Sequence, residues 1–151
     1  VIAGDVLLGR AAVGDPVVVI GGGQVGAEVA EFLAEEGRNV TILEIAADIA
    51  QGMPSIARLP LLCHLEETGV RIWTKARVRE IRDDAVDVEY KGAPRQVLAA
   101  TVVIATGAEP NVGPVEVFRG KIPEVYVIGD SARPRSFLDA IAEGFDVGSR
   151  L

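Results

Sequence analysis

Residues 17–26 read VVVIGGGQVG, and this stretch decides the fold. Its first four residues, 17–20, are all apolar and β-branched, which is typical of a short buried strand. Glycines then complete the pattern G-x-G-x-x-G, and residues 27–36 (AEVAEFLAEE) have a helix-forming composition with an apolar stripe. A strand, a glycine turn and a helix in this order are the context in which the pattern indicates a dinucleotide site.

Each glycine of the pattern has a physical role. Gly21 permits the tight turn out of the strand, Gly23 lets a pyrophosphate approach the backbone, and Gly26 lets the helix pack closely on the strand. The N–H groups of the first helical turn are unpaired and lie at the positive end of the helix dipole. The sequence therefore predicts that phosphate groups bind where this helix begins.

Glu44 supports the same prediction. It lies about 20 residues after the first glycine, where an acidic residue accepts hydrogen bonds from ribose hydroxyls. It follows a second β-rich run, VTIL at 40–43, and Gly37 marks the end of the intervening helix. The alternatives are a glycine turn in an ordinary α/β domain and a methyltransferase loop. The second is disfavoured because residues 17–20 include no acidic residue.

The residues after Glu44 bear on the choice between the two nicotinamide cofactors. No Arg or Lys occupies the first positions after it, so a 2′-phosphate would meet a carboxylate without a compensating cation. We therefore expect NADH to bind in preference to NADPH. Arg38 is the cation that a loop conformation would have to bring near this carboxylate to reverse the preference.

Composition excludes several classes of partner. The chain has 151 residues, 49% of them hydrophobic, which is enough for one domain, or for one domain plus a piece of another. A net charge of −7 argues against nucleic acid or an anionic membrane as a partner. No apolar run approaches the roughly 18 residues that a membrane span needs. Because the sequence begins with Val1, we expect it to be an excised piece of a longer protein.

The single cysteine, Cys63, is next to the single histidine, His64. One cysteine fits a reducing compartment, and we expect a cytoplasmic protein. Adjacent residues on a helix point about 100° apart, so the two side chains do not easily meet. We therefore assign no catalytic residue and no metal ligand.

The rest of the chain is predicted in order. We expect a linker over 1–15, a helix over 54–68 and a strand over 70–74. The apolar stripe of that helix is expected to comprise Ile56, Leu59, Leu62 and Leu65. Residues 75–99 alternate apolar and charged side chains, which predicts a three-stranded antiparallel meander with one packed face.

Beyond the meander, a continuous apolar run over 101–106 predicts a buried parallel strand. Prolines and glycines in 108–123 indicate a crossover loop. Residues 125–128 (VYVI) are expected to form a last buried strand that docks beside a parallel strand. A final helix should begin near Ser136, with Phe137, Ile141 and Phe145 on the face that covers apolar surface. The predicted fold class is α/β, with a Rossmann-like parallel sheet, helices on both faces and the inserted meander.

Three motifs together resemble a known family. They are GGGQVGAEVA at 21–30, ATGAEP at 105–110 and VYVIGD at 125–130. With the meander between the first two, they resemble the flavoproteins of the pyridine nucleotide–disulphide oxidoreductase type. In that family the motifs mark the NAD(P)H domain, the crossover back towards the FAD domain, and the flavin site.

A narrower resemblance rests on three longer segments. They are DVLLGR at 5–10, VTILEIAADIAQGMP at 40–54 and GDSARPRSFLDAIAEGF at 129–145. These look like the C-terminal FAD/NAD(P)-binding module of the NADH:flavin oxidoreductases, which include the 2-enoate and 2,4-dienoyl-CoA reductases and related amine dehydrogenases. Ser131 departs from that pattern, in which a cysteine often follows the Gly-Asp pair.

The resemblance implies a set of cofactor-binding residues and a division of the chain. On this basis residues 16–110 form the NAD(P)H-binding domain, and residues 111–151 supply a crossover with the last strand and helix of the FAD-binding domain. The implied contacts are Gly21, Gly23, Val25 and Gly26 to the pyrophosphate, with Gly22 and Gln24 as further cofactor-binding residues of the same loop. Glu28 is implied near the nicotinamide, Glu44 at the ribose, Thr106 and Gly107 at the edge of the nucleotide site, and Asp130 at FAD.

The resemblance also implies what a full-length protein would add. It would carry FAD, with the first half of the FAD domain before Val1, and further upstream an N-terminal FMN-binding barrel and an iron–sulfur cluster. The implied function is the NADH-binding domain of a flavin-dependent oxidoreductase, passing hydride from NADH to FAD. Two alternatives remain: an ADP-holding structural module like that of an amine dehydrogenase, and the NADH domain of an NADH oxidase or disulphide reductase. The C-terminal sequence DSARPRSFLDAI disfavours the second.

Overall fold

A computed structural model describes residues 1–151, which divide into two compact units, 1–107 and 108–151. The first unit contains α1 (Ala3–Leu7), β1 (Val17–Ile20), α2 (Gln24–Glu35), β2 (Val40–Leu43), α3 (Ser55–Glu67), β3 (Arg71–Trp73), β4 (Ala76–Ile81), β5 (Ala85–Tyr90), β6 (Ala93–Leu98) and β7 (Thr101–Ile104). The second contains α4 (Gly113–Phe118), a short 3-10 helix (Gly129–Ser131) and α5 (Phe137–Gly148).

The first unit is built on a four-stranded parallel sheet. The strand order is β3-β2-β1-β7, so β1 lies inside the sheet with β2 and β7 as its neighbours. Strands β4, β5 and β6 form a separate antiparallel sheet. The predicted Rossmann-like α/β fold with an inserted three-stranded meander is confirmed.

The alternation of side chains along β1 explains how both faces of the sheet are covered. Val17 and Val19 point into a core formed with helices α1, α2 and α3, whereas Val18 points into a second core formed with the meander. All three residues are fully or almost fully buried. We expected helices on both faces. The structure differs in this detail, because the packed face of the meander covers the side opposite the helices.

Trp73 joins the two sheets of this unit. Its ring stacks on that of Tyr90 in β5, with 4.5 Å between the ring centroids and 21° between the planes. Stacked aromatic pairs add stabilisation beyond the area that they bury. Since Trp73 also pairs with Leu43 in the parallel sheet, the stack connects the meander to the strand that precedes Glu44.

Residues 1–15, expected to be a linker, are part of the first unit. The N-terminal ammonium of Val1 donates to the carbonyl oxygen of Val102 at 2.9 Å, and Ile2 forms a parallel bridge with Ile104. Ala3 and Val6 of α1 are buried in the helical core. A five-residue helix is too short to give a periodic signal in sequence, which explains the difference. The first unit ends at Gly107, whereas the sequence predicted that the domain ends at residue 110.

Helix α3 confirms only half of the predicted stripe, since Leu62 and Leu65 pack in the core but Ile56 and Leu59 do not. Leu61 and Leu65 are buried, whereas Ile56 is 86% exposed and Leu59 is 60% exposed. The predicted stripe repeats every three residues, which at 3.6 residues per turn rotates about 180° between Ile56 and Leu65. The i, i+4 pair stays on one face, and Pro60 lies inside an uninterrupted helix.

Residues 108–151 correct two further predictions. The expected loop over 108–123 contains α4, and residues 125–128 form no strand. Val125, Tyr126 and Ile128 are exposed. Because no other strand exists within 108–151, the backbone of 125–128 has no pairing partner in its unit.

Helix α5 begins where the sequence predicted. The Ser136 hydroxyl accepts the Asp139 N–H at 3.3 Å, and the Asp139 carboxylate accepts the Ser136 N–H at 3.1 Å, which completes a capping box. The apolar face at Phe137, Ile141 and Phe145 is exposed rather than covered. The predicted start of the helix is therefore confirmed, and the predicted covering role is not observed.

Substitutions in α3 test the corrected helix face. We expect Leu65→Ala to lower the free energy of unfolding by about 2–5 kcal/mol, because it opens a cavity in the core. Leu59→Ala, on the exposed side of the same helix, should change it by no more than about 0.5 kcal/mol. Urea unfolding followed by circular dichroism measures both. Equal losses for the two variants would contradict the assigned face.

Candidate functional site

The site lies at the carboxyl edge of the parallel sheet. Ile20 at the end of β1 pairs with Leu43 of β2 on one side and with Ile104 of β7 on the other. The chain therefore leads from β1 outward through β2 and β3, then returns to β7 on the opposite side of β1. Open α/β sheets bind ligands at such a switch point, outside the carboxyl ends of the strands.

Two glycines make close backbone approaches possible at this edge, Gly26 between α2 and the end of β1 and Gly21 between the end of β1 and the residue after β7. Gly21 has φ +100°, and a Cβ atom there would lie 2.5 Å from the carbonyl oxygen of Ala105. A Cβ atom at Gly26 would overlap the carbonyl oxygen of Gly21. A larger residue at Gly26 would push α2 away from the end of β1, and one at Gly21 would collide with the backbone that follows β7. The roles predicted for Gly21 and Gly26 therefore have a steric basis here.

Gly23 has a different environment. It is the N-cap of α2 with φ −64°, no side chain accepts from the first turn, and a Cβ atom there would have no neighbour within 4 Å. Gln24 and Val25 are exposed. The unpaired amides of the first helical turn consequently face open space, which is the arrangement that binds an anionic group.

The Glu44 carboxylate is half-buried and is held in place by the backbone. Its Oε2 accepts the Gly22 N–H at 2.5 Å, and its Oε1 accepts the Ala46 N–H at 2.6 Å. A carboxylate has about four acceptor positions, so each oxygen keeps one for an additional donor. The side chain is thus fixed in orientation and is still able to accept hydrogen bonds from a diol.

Residues after Glu44 complete the site and were missed by the sequence reasoning. The Ala50 N–H donates to the carbonyl oxygen of Gly22 at 2.6 Å, and the Ile49 side chain packs against Gly22 so closely that a Cβ atom there would lie 2.5 Å away. A signal was available: Gly22 occupies a free position of the pattern, and a glycine there indicates that another part of the chain packs on it.

The side chains of Gln24 and Glu28 lie along one face of α2. Gln24 Nε2 donates to Glu28 Oε1 at 3.0 Å. Glu28 then lines a groove of about 370 Å³ between α2 and α3, which also includes Glu31 and His64. Glu28 is therefore tied to the first turn of α2, and its place near the nicotinamide stays a prediction.

Thr106 and Gly107 are exposed and follow Ala105, the first residue after β7. The backbone N of Thr106 lies near Gly21, and Gly107 has φ +111°. Both are brought to the same edge of the sheet as the glycine loop. Asp130 belongs to the second unit, where it is exposed and its Oδ1 accepts the Arg135 N–H at 3.4 Å.

Arg38 lies at the opposite end of the sheet from Glu44. It follows the C-terminus of α2, and its side chain lines a separate groove with Val6 and Phe32. The four-residue strand β2 separates the two ends by about 13 Å. Arg38 therefore lies away from Glu44, the residue that the sequence predicts to bind the ribose.

These features define a dinucleotide-binding α/β domain. The chain belongs to the pyridine nucleotide-disulphide oxidoreductase family, whose model matches residues 4–144. The family implies FAD and NAD(P)H as cofactors. The open N-terminus of α2 and the Glu44 carboxylate, which two backbone N–H groups hold in place, fit NAD(P)H. The predicted resemblance, and the prediction of an oxidoreductase, are confirmed.

Two curated relatives and one solved structure are similar to the chain. The NADH oxidase of Thermoanaerobacter brockii is 37% identical over 99% of this chain and 24% of its own length. The bilirubin reductase of Mediterraneibacter gnavus is 35% identical over 85% of this chain and 20% of its own length. A 2-naphthoyl-CoA reductase complex has a TM-score of 0.91, 31% identity, and coverage of 100% of this chain and 23% of that one.

The chain therefore spans about a quarter of the length of these proteins. The match to an NADH oxidase extends through α5, so the C-terminal sequence does not argue against that class as we had predicted. No helix of the structure is both long and apolar enough to cross a membrane.

His64 gives a pH-dependent prediction, since its Nδ1 lies 2.8 Å from Glu31 Oε1. This hydrogen bond raises the pKa of His64 above 6.5, with smaller contributions from the charges of Glu31, Glu35 and Glu67. A raised pKa means that the stabilisation is fully present below the unfolded value of about 6.5 and is lost as pH rises through the folded value.

The measurement is an NMR titration of the only histidine, which needs no assignment. We expect Glu31→Gln to lower the pKa of His64 clearly, and Glu67→Gln to lower it less. A Glu31→Gln variant that titrates like the parent chain would contradict the pairing of α2 with α3.

Proposed function

We propose that this chain is the NADH-binding domain of a flavin-dependent reductase, in which NADH held at the glycine loop passes hydride to FAD in the full-length protein. The observation that carries the proposal is the pairing of an open, uncapped helix terminus at Gly23 with a braced acceptor at Glu44. The two lie at one edge of the sheet, as a pyrophosphate and the adjoining ribose require.

In this arrangement the pyrophosphate accepts hydrogen bonds from the first-turn amides of α2, between Gly23 and Gly26. The ribose diol donates to Glu44, whose two oxygens already point in fixed directions because Gly22 and Ala46 hold them. A preorganised acceptor loses little conformational entropy when the nucleotide binds. Thr106 and Gly107 border the same site.

The charges around Glu44 favour NADH over NADPH. A 2′-phosphate would approach the Glu44 carboxylate, and like charges repel at this distance. The guanidinium of Arg58 is already paired with Asp48 and with the carbonyl oxygen of Ile49. Arg38 lies at the other end of β2, so neither arginine is placed to compensate a 2′-phosphate.

The cofactors supply the redox chemistry: two electrons and a proton move together as hydride from nicotinamide C4 to flavin N5. This chain's part is to bind the nucleotide, orient it and exclude water. Asp130 is its proposed contact to FAD. From the family resemblance we also propose an FMN-binding barrel and an iron–sulfur cluster. The cluster would lie elsewhere in the protein, since the single cysteine of this chain cannot provide the usual four ligands.

The substrate class is proposed from the relatives. Reductases that act on unsaturated compounds are similar to this chain, among them 2-naphthoyl-CoA reductase and bilirubin reductase. We propose reduction of an enoate or dienoyl-CoA type of substrate. The match to an NADH oxidase supports a second candidate, the NADH-binding domain of an NADH oxidase.

Titration with NADH, NADPH and ADP tests the proposal. We expect NADH to bind more tightly than NADPH, and more tightly than ADP because the nicotinamide half adds contacts. Energy transfer from Trp73 to the reduced nicotinamide reports binding of NADH and NADPH, since Trp73 is the single tryptophan and pairs with Leu43 beside Glu44; displacement of bound NADH reports binding of ADP. Equal affinity for ADP and NADH would instead indicate an ADP-holding structural module.

Glu44→Gln tests the role of the carboxylate in the same assay. We expect NADH affinity to fall about tenfold, because a hydrogen bond to a charged group contributes about 1.5–3 kcal/mol. The preference over NADPH should narrow because the repulsion of the 2′-phosphate is removed. Glu36→Gln, exposed beyond the far end of α2, is the control. Unchanged selectivity in Glu44→Gln would contradict the assignment.

Gly23→Asp and Gly26→Ala should separate binding from folding. Aspartate is a favoured N-cap residue, so Gly23→Asp should raise the free energy of unfolding by a few tenths of a kcal/mol. It should also abolish NADH binding, because its carboxylate takes the amides and repels the pyrophosphate. Gly26→Ala should lower stability by about 1–3 kcal/mol through overpacking against Gly21. Retained NADH affinity in Gly23→Asp would refute the phosphate site.

A further inference from the structure

The segment 45–52, which we call the clasp segment, folds back over the glycine loop. Its Ala50 N–H donates to the Gly22 carbonyl oxygen at 2.6 Å, and its Ile49 side chain, 2% exposed, packs on the same glycine. The Glu44 carboxylate contacts Gly22 from the other direction through the Gly22 N–H. Both backbone polar groups of Gly22 are therefore fixed by residues after β2.

The backbone conformation of Ala50 indicates that surrounding contacts fix the clasp segment in its position on the glycine loop. Ala50 has φ +51°, in the left-handed region, and is fully buried. Non-glycine residues persist in this region only where the surroundings determine the conformation. Its N–H points at the Gly22 oxygen in consequence.

Arg58 of α3 holds the two residues that precede Ala50. Its Nε and one terminal nitrogen donate to the Ile49 carbonyl oxygen at 3.1 and 3.0 Å, and the same terminal nitrogen pairs with the Asp48 carboxylate. Asp48 also accepts the Ile49 N–H through Oδ1 at 2.9 Å. The Arg58 side chain is only 23% exposed, so the forked contact is partly shielded from water. A planar guanidinium suits this kind of two-point contact.

We propose that Arg58 is a positioning residue for the nucleotide phosphates. It acts through Ile49 and Ala50, which hold Gly22 and thereby fix the direction in which Gly23 and the first turn of α2 present their amides. This inference rests on the proposed nucleotide site and deepens it. Arg58 itself does not contact the ligand, and support of this kind keeps binding groups within a fraction of an ångström of their working positions.

The test compares a ligand that has a pyrophosphate, ADP, with one that lacks it, adenosine, on the full 151-residue chain. We expect Arg58→Met to lower ADP affinity about tenfold, the scale on which supporting residues act. Adenosine affinity should fall much less than ADP affinity, because adenosine has no phosphate group to contact the first-turn amides of α2. Arg58→Lys, which retains one donor, should recover part of the ADP affinity. A purely structural role would lower the melting temperature without this split between the two ligands.

Asp48→Asn separates positioning from simple charge attraction. Loss of a negative charge near the site would raise ADP affinity if Arg58 acted only as a cation. The proposal predicts the opposite, a fall in ADP affinity, because the clasp segment loosens. Asp48 is 55% exposed, so this variant should fold even if Arg58→Met does not. Unchanged or raised ADP affinity in Asp48→Asn overturns the proposal.

Two controls keep this result distinct from failure of the nucleotide site. Arg95→Met removes an exposed arginine from β6 of the meander and should bind ADP like the parent chain. Gly23→Asp should lose ADP binding whether or not Arg58 has a positioning role. If the parent chain and Gly23→Asp bind ADP equally, the proposed function fails. If the parent chain binds ADP, Gly23→Asp does not, and the Arg58 and Asp48 variants bind like the parent, only the positioning role fails.

Discussion

Helix α2 begins so close to strand β1 that no atom larger than hydrogen fits between Gly26 and the carbonyl oxygen of Gly21. The rest of the site depends on this contact. It directs the helix axis at the edge of the sheet, and it brings the unpaired first-turn amides to the same place as the ends of β2 and β7. The parallel pairing of β1 with both neighbours then brings Glu44 and Thr106 to that edge without further specification.

Glu44 has a structural role in the loop beside the ribose-binding role proposed for it. Its oxygens brace the loop through Gly22 and Ala46 and keep capacity for a ribose. If no backbone group held the carboxylate, the ligand would have to desolvate it and order it on binding. Here much of that ordering is done by folding, and the same residue therefore links the stability of the loop to its readiness to bind.

The parts of the fold that could be predicted are those with local signals. The glycine pattern located β1 and α2, period-2 alternation located the meander, and the spacing to Glu44 located the end of β2. Other features depend on contacts between distant residues. Arg58 reaches Ile49 from a different helix, the buried face of α3 is chosen by α2, and residues 125–128 have strand composition without a partner strand in their unit. No window of sequence contains that information.

The two units differ in how completely they bury apolar surface. Both hydrophobic cores draw only on residues before 107, and every strand of the first unit is paired. Neither α4 nor α5 of the second unit contains a buried residue. Since burial of apolar area is the main source of folding free energy, the first unit carries the stability of the described structure. The glycine loop, Glu44 and Arg58 all lie within it, so the proposed nucleotide binding would depend on the same contacts that stabilise the fold.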